Sequence, residues 1–310
     1  MMRIAVCCAT NRGLRFLERL CELAPESELV VFSFREVAWE PPFFDRIRDF
    51  TTSVGGQFVE TRTLTAPTLQ SFWDSTSIDL LFAVSWRYMI PSALYRRARL
   101  GAFVFHDSLL PEYRGFSPTV WAMMNGEKQT GATLIHMAET ADTGDIVDQQ
   151  SVPIGEDESI ATVLDRVTHT YLDLLDRNLS QLLSGTAQAT PQDHARATYT
   201  CKWHPSDNEI DWTMPAVDIH NLIRAVTVPY PGAFTYHDGH LLRIWSAQRM
   251  PPLRRYVGAI PGRIVEVRPE KGTIVLTGQG ELLLETIQYD HGKSTRADQL
   301  LKRIGQSLGR

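Results

Sequence analysis

His106 and Asp142 are the residues whose types and setting could move a proton. His106 closes an apolar run, 102–105, and opens His-Asp-Ser-Leu-Leu-Pro-Glu-Tyr-Arg-Gly; Asp142 follows 36 positions later within Ala-Asp-Thr-Gly-Asp. An imidazole takes up and returns a proton near neutral pH, and a carboxylate beside it can orient the ring. Each side chain also has a plainer reading. A histidine at a strand end is more often a hydrogen-bonded structural residue, and an aspartate in a turn commonly accepts backbone N–H groups.

The elements that must position the pair follow from periodicity. Short apolar runs at 4–7, 29–32, 80–84 and 102–105 read as buried strands. Between them, 14–23, 43–54, 69–73 and 91–97 read as helices. Such alternation predicts a doubly wound, mostly parallel sheet covered on both faces, whose working groups gather beyond the carboxyl ends of the strands. His106 stands at such an end. Runs at 133–137 and 146–153 predict an extension of the sheet or a hairpin beside it, and helical spacing of leucines predicts a long helix over 159–183 that stops at Gly185.

Residues 186–200, polar and containing Pro191, read as a connection between a first domain, 1–185, and a second, 201–310. The second opens with a helix over 215–225. Five short strands follow at 233–236, 241–247, 263–267, 273–277 and 281–288, punctuated by Asp-Gly, Pro-Gly, Lys-Gly and Gln-Gly, which predicts a small β-barrel.

Composition narrows the classes of function. A net charge of -5 over 310 residues, with a pI near 6.0, gives no extended basic field for a nucleic acid. Cys7, Cys8, Cys21 and Cys201 lack the spacing of a zinc site or a disulfide framework and read as reduced thiols. No metal is expected. The start of the sequence runs straight into a strand, and no stretch is apolar enough for a membrane span, so a soluble cytoplasmic protein is expected. The oligomeric state is not set by the sequence, which is compatible with a homodimer.

The run from His106 to Gly115, then Asn125-Gly-Glu127, Thr130-Gly-Ala-Thr133 and Ala141-Asp-Thr-Gly-Asp145, resembles the signature of formyltetrahydrofolate-dependent formyltransferases. The resemblance continues in Ile210-Asp-Trp212, Leu222-Ile-Arg-Ala225 and Pro229-Tyr-Pro-Gly-Ala-Phe234. It implies a Rossmann-like catalytic domain and a C-terminal barrel of the oligonucleotide-binding type. It also implies N10-formyltetrahydrofolate as formyl donor, a small-molecule amine as acceptor, and His106 and Asp142 as catalytic residues. Ser85, Trp86, Arg87, Tyr88, Met89 and Ile90 correspond to the loop lining the pterin pocket, and Ala138, Glu139, Thr140 and Ala141 to the loop on its other side. Without the resemblance, Trp86, Tyr88 and Met89 read as core residues.

One position departs from the family pattern. Val104 stands where these enzymes usually carry an asparagine whose amide donates to the developing oxyanion, and its isopropyl group cannot donate. A folate-binding homologue without turnover is therefore a second class of reading. Ser108, Arg114 and Gly115 are candidates for substrate contact: Arg114 could meet an acceptor phosphate or form a surface ion pair, and Ser108 could brace the turn instead. Among acceptors, the resemblance over 221–245 favours the amine of a nucleotide-linked amino-dideoxy sugar. N-hydroxyornithine and methionyl-transfer RNA are the alternatives, the last disfavoured by the acidic balance.

Overall fold

A computed structural model describes residues 1–251, 254–290 and 292–309, and the chain divides into two compact units. The first comprises residues 1–118, 129–153 and 164–202. Its strands are β1 (Arg3–Cys8), β2 (Glu28–Ser33), β3 (Gln57–Glu60), β4 (Ile78–Val84), β5 (Ala98–His106), β6 (Arg114–Gly115), β7 (Gln129–His136), β8 (Ile146–Pro153) and β9 (Tyr199–Thr200). Seven form one sheet in the order β3-β2-β1-β4-β5-β7-β8. The pairings from β3 to β5 are parallel, whereas β7 runs antiparallel to β5 and β8 antiparallel to β7. The sheet is thus mixed, and the last two strands both extend it and form a hairpin.

Alternation along β5 sorts its side chains between two covered faces. Phe105 packs with Phe16 of α1 (Thr10–Leu23) and with Tyr171. α2 (Phe44–Ser53) follows β2. On the other face, Ala102 and half-buried Val104 join a cluster with Cys7, Ala83, Trp73 of α3 (Gln70–Ser75) and Tyr95 of α4 (Ser92–Tyr95). His106 continues the Ala102 and Val104 row. The short edge strand β3 escaped periodicity because its four residues, Gln-Phe-Val-Glu, are half polar and none is fully buried.

The second unit comprises residues 119–128, 154–163 and those from 203 onward. α5 (Pro118–Met124) and the start of α6 (Ile160–Ser184) belong to this division, so two pieces expected in the first domain cluster with the second. α7 (Ala216–Val226) precedes β10 (Ala233–His237), β11 (His240–Arg249), β12 (Ile264–Arg268), β13 (Gly272–Leu276), β14 (Glu281–Tyr289), β15 (Thr295–Arg296) and α8 (Ala297–Leu300). The strands form an antiparallel sheet ordered β10-β11-β14-β13-β12, with β15 on β14. Among the described residues β10 and β12 are not paired with each other, so the small barrel expected from the strands is seen as an open antiparallel sheet. At the Asp238-Gly239 hairpin both residues have positive φ, 49° and 78°, as a two-residue primed turn requires.

Within this unit α7 carries a buried polar cluster. Arg224 Nη1 donates to the carbonyls of Gly155 (2.9 Å) and Glu158 (3.3 Å), and its Nε donates to Asn221 Oδ1 at 2.9 Å. Burial, then the neighbouring Arg224 and Arg249, push the His220 imidazole down to about 4.

No helix among the described residues is long and apolar enough to cross a membrane.

Candidate active site

His106 is the last residue of β5 and only 6% exposed. Its Nε2 lies 2.9 Å from the carbonyl oxygen of Tyr113, and its Nδ1 lies 3.5 Å from Asp142 Oδ1. A carbonyl only accepts, so Nε2 carries the hydrogen and Nδ1 is the atom turned to the carboxylate. The expected pair is therefore assembled in space.

The Asp142 carboxylate is held from a second side. Its Oδ2 accepts the Gly115 N–H at 2.9 Å. Asp142 itself sits at φ 57°, a left-handed conformation that aspartate tolerates better than most residues. Two glycines make this approach possible. Gly115 has φ 111° and would bring an added Cβ to 2.5 Å from the Thr200 carbonyl, and a Cβ on Gly144 would lie 1.8 Å from the His136 carbonyl. Side chains at either position would push the Asp142 loop away from β5.

The turn after His106 is braced internally. Ser108 is buried, and its Oγ donates to the Glu112 carbonyl at 2.7 Å. Thr133 Oγ1 donates to the Ser108 carbonyl at 2.7 Å, and Gln149 Nε2 donates both to that Thr133 oxygen and to the Leu110 carbonyl. Arg114 is 2% exposed, which the surface ion-pair reading did not foresee. Its guanidinium donates to Gln192 Oε1 at 2.6 Å, meets His194 Nδ1 at 2.9 Å and reaches the Tyr199 hydroxyl at 3.4 Å. Ser108 and Arg114 thus have protein partners in this structure, and Gly115 serves Asp142 through its N–H.

Residues 186–200 are accordingly more than a connection. Thr190 bridges to Ile146, β9 pairs with β6 so that Arg114 faces Tyr199, and Gln192 is buried. Sequence reasoning missed Gln192 and the Tyr113 carbonyl. A polar stretch without periodicity hides the first, and a backbone acceptor has no residue type to reveal it.

The loop after β4 lies beside the end of β5, since these strands are neighbours. It starts with Ser85 at φ 54°. Ile90 belongs to the apolar cluster against which Trp86, Val104 and Met137 also pack. Trp86 and Tyr88 also pack around Phe34, with ring centroids at 5.4 and 5.0 Å, and Arg87 pairs with Glu40. The Trp86 Nε1 is buried and has no hydrogen-bond partner among the described residues. Met89 is exposed, as are Glu139, Thr140 and Ala141, while Ala138 is half-buried. Glu139 pairs with Arg96 at the surface. Val104 sits between Ala83 and Ile135 on the adjoining strands, two residues before His106 on the same face. Among the described residues no group of three His, Cys, Asp or Glu side chains is placed to hold a metal.

Comparison with solved structures places this fold among known ones. The N-formyltransferase from Helicobacter canadensis, solved with folinic acid and dTDP-3-aminofucose, superposes with a TM-score of 0.66 at 16% identity, covering 92% of this chain and 99% of that one. WlaRD, a sugar 3N-formyl transferase solved in the presence of dTDP and 5-N-formyl-THF, gives 0.67 at 17% identity, with 94% and 99% covered. HypX from Aquifex aeolicus in complex with tetrahydrofolic acid gives 0.63 at 20% identity, covering 97% of this chain and 47% of that one. The chain therefore spans about half the length of HypX. At these identities the likeness concerns the fold. Sequence comparison is more specific: residues 29–178 match Formyl transferase, and residues 202–305 match Formyl transferase, C-terminal domain. Two successive matches in the order of that family, over most of its length, make the chain a member of the formyltransferase family.

Proposed function

We propose that the chain transfers the formyl group of N10-formyltetrahydrofolate to the primary amine of a nucleotide-linked amino-dideoxy sugar. The observation that carries this reading is the buried contact between His106 and Asp142 at the carboxyl end of β5 in a chain of the formyltransferase family. The structural neighbours solved with dTDP-3-aminofucose or with dTDP support the acceptor class, and those solved with folate compounds support the donor.

The neutral amine attacks the formyl carbon and gives a tetrahedral intermediate with negative charge on oxygen. The bond to N10 then breaks with its electrons on nitrogen, and the amine's proton is passed to N10. His106 is the group that relays that proton, and Asp142 steadies the positive charge passing through the ring. Ser85 to Ile90 and Ala138 to Ala141 are assigned to the folate pocket on the strength of the resemblance. Trp86 Nε1 adds an unused donor there. On the same reading the C-terminal sheet is of the oligonucleotide-binding type, and four cysteines outside any disulfide fit a cytoplasmic setting.

Val104 supports a second reading, in which the chain binds folate without turnover. A single-turnover assay with N10-formyltetrahydrofolate and dTDP-3-aminofucose, N-hydroxyornithine or methionyl-transfer RNA separates these. Formylation of the sugar amine is expected. Binding of tetrahydrofolate with no formylated product from any amine would establish the second reading.

A further inference from the structure

Gln192 is 6% exposed and ties two parts of the site together. Its Nε2 donates to the main-chain carbonyls of Asp142 (2.9 Å) and Gly144 (2.7 Å), while its Oε1 accepts from Arg114 Nη2 at 2.6 Å and Nε at 3.3 Å. The chemistry of these partners fixes the amide's orientation. Carbonyls only accept and a guanidinium only donates, so the NH2 end must face the loop and the oxygen must face Arg114. No other side chain of this size offers two donors and one acceptor in that arrangement. A glutamate would set an oxygen against two carbonyl oxygens.

We infer that Gln192 is a positioning residue for formyl transfer, holding Asp142 in the left-handed conformation that presents its carboxylate to His106. A non-glycine residue at positive φ is strained and persists only where its surroundings over-determine it. Here the Gly115 N–H fixes the Asp142 side chain and Gln192 fixes the Asp142 main chain. Buried Arg114 in turn holds Gln192, which gives it an internal task in place of an acceptor phosphate. The inference rests on the formyl-transfer reading above, and its test has a readout that needs no acceptor.

The test uses the full chain with Gln192→Leu, Gln192→Glu and Asp142→Ala. Gln192→Glu keeps the size and the acceptor for Arg114, and it carries the test should Gln192→Leu fail to fold. Single-turnover transfer to dTDP-3-aminofucose is expected to slow on the order of 10²-fold, the effect of an ångström-scale misplacement. In the Asp142→Ala background the same substitutions should cost nothing further, because residues acting through one group are not additive. The nitrogen-15 shifts of the His106 ring should move from wild-type values toward those of Asp142→Ala. A folded variant with wild-type His106 shifts, or losses that multiply with Asp142→Ala, would overturn the inference. A wild-type chain that formylates no amino sugar would overturn the acceptor reading instead, and the His106 spectra would still decide on Gln192.

Discussion

Two histidines, one in each unit, are buried to a similar degree beside a carboxylate, yet their surroundings set them to different tasks. His106 is 3.5 Å from Asp142, whose side chain is 13% exposed; His220 is 3.8 Å from Asp157, whose side chain is 85% exposed. Water screens the second pair and much less the first. His106 meets acceptors at both ring nitrogens, a carbonyl and a carboxylate, whereas His220 stands among Arg224 and Arg249 and is held neutral. A buried imidazole can take on a positive charge where acceptors surround it and is kept neutral where cations do.

The largest effect should fall on the first histidine. His106→Ala and Asp142→Ala are each expected to slow formyl transfer by about 10²- to 10⁴-fold with the fold kept, and His220→Ala to leave the rate unchanged. Circular dichroism and a transfer assay check this, and near-normal turnover by His106→Ala would dissolve the contrast.

Stability should respond in the opposite sense. Arg224→Met strips the Gly155 and Glu158 carbonyls of a buried donor, and the expected loss is about 3 kcal/mol. Urea unfolding measures it. Arg224→Lys should recover only part, because an ammonium lacks the fork that reaches Asn221 as well.

His220 should also make stability fall with acid. The folded chain holds it at about 4 against an ordinary value of 6.5. Above pH 6.5 neither state is protonated there and the contribution is whole. As pH drops below 6.5 the unfolded chain takes up the proton first, so stability is lost down to about pH 4. Between pH 7 and pH 5 the loss is on the order of 2 kcal/mol, and His220→Leu should remove that part of the slope. An identical slope in the variant would show that His220 is not held neutral.

The smallest effect is expected at Val104, which lies on the His106 face but packs with Ala83, Ile90 and Ala102. If other donors serve the oxygen, Val104→Asn should change kcat by less than about tenfold, because a further donor to a satisfied oxygen adds little. A gain on the order of 10²-fold with unchanged melting would show instead that the chain lacks an oxyanion donor.

Much of the first sheet was legible because its strands are continuous apolar runs bounded by turn residues. β1, β2, β4 and β5 emerge from periodicity within a few residues of their ends, and α6 from its leucine spacing. The half-polar edge strand β3 did not. Of the barrel expected from five punctuated strands, the antiparallel sheet was legible and the closure was not: period and punctuation report that strands pair as hairpins, whereas closure depends on whether the end strands meet.

The site divides along the same line. Residue types and setting marked His106 and Asp142 as able to move a proton, and the family resemblance added Gly115 and the loop at 85–90, whose aromatic residues otherwise read as core. Only the tertiary structure decided that Arg114 turns inward, that the Tyr113 carbonyl takes the other face of His106, and that Gln192 reaches back some fifty residues to the Asp142 loop. The physical reason is that a side chain's chemistry is written in its own atoms, while its partner is set by where the backbone folds. Buried donors and acceptors must find one another across the chain, and no local pattern records which ones they find.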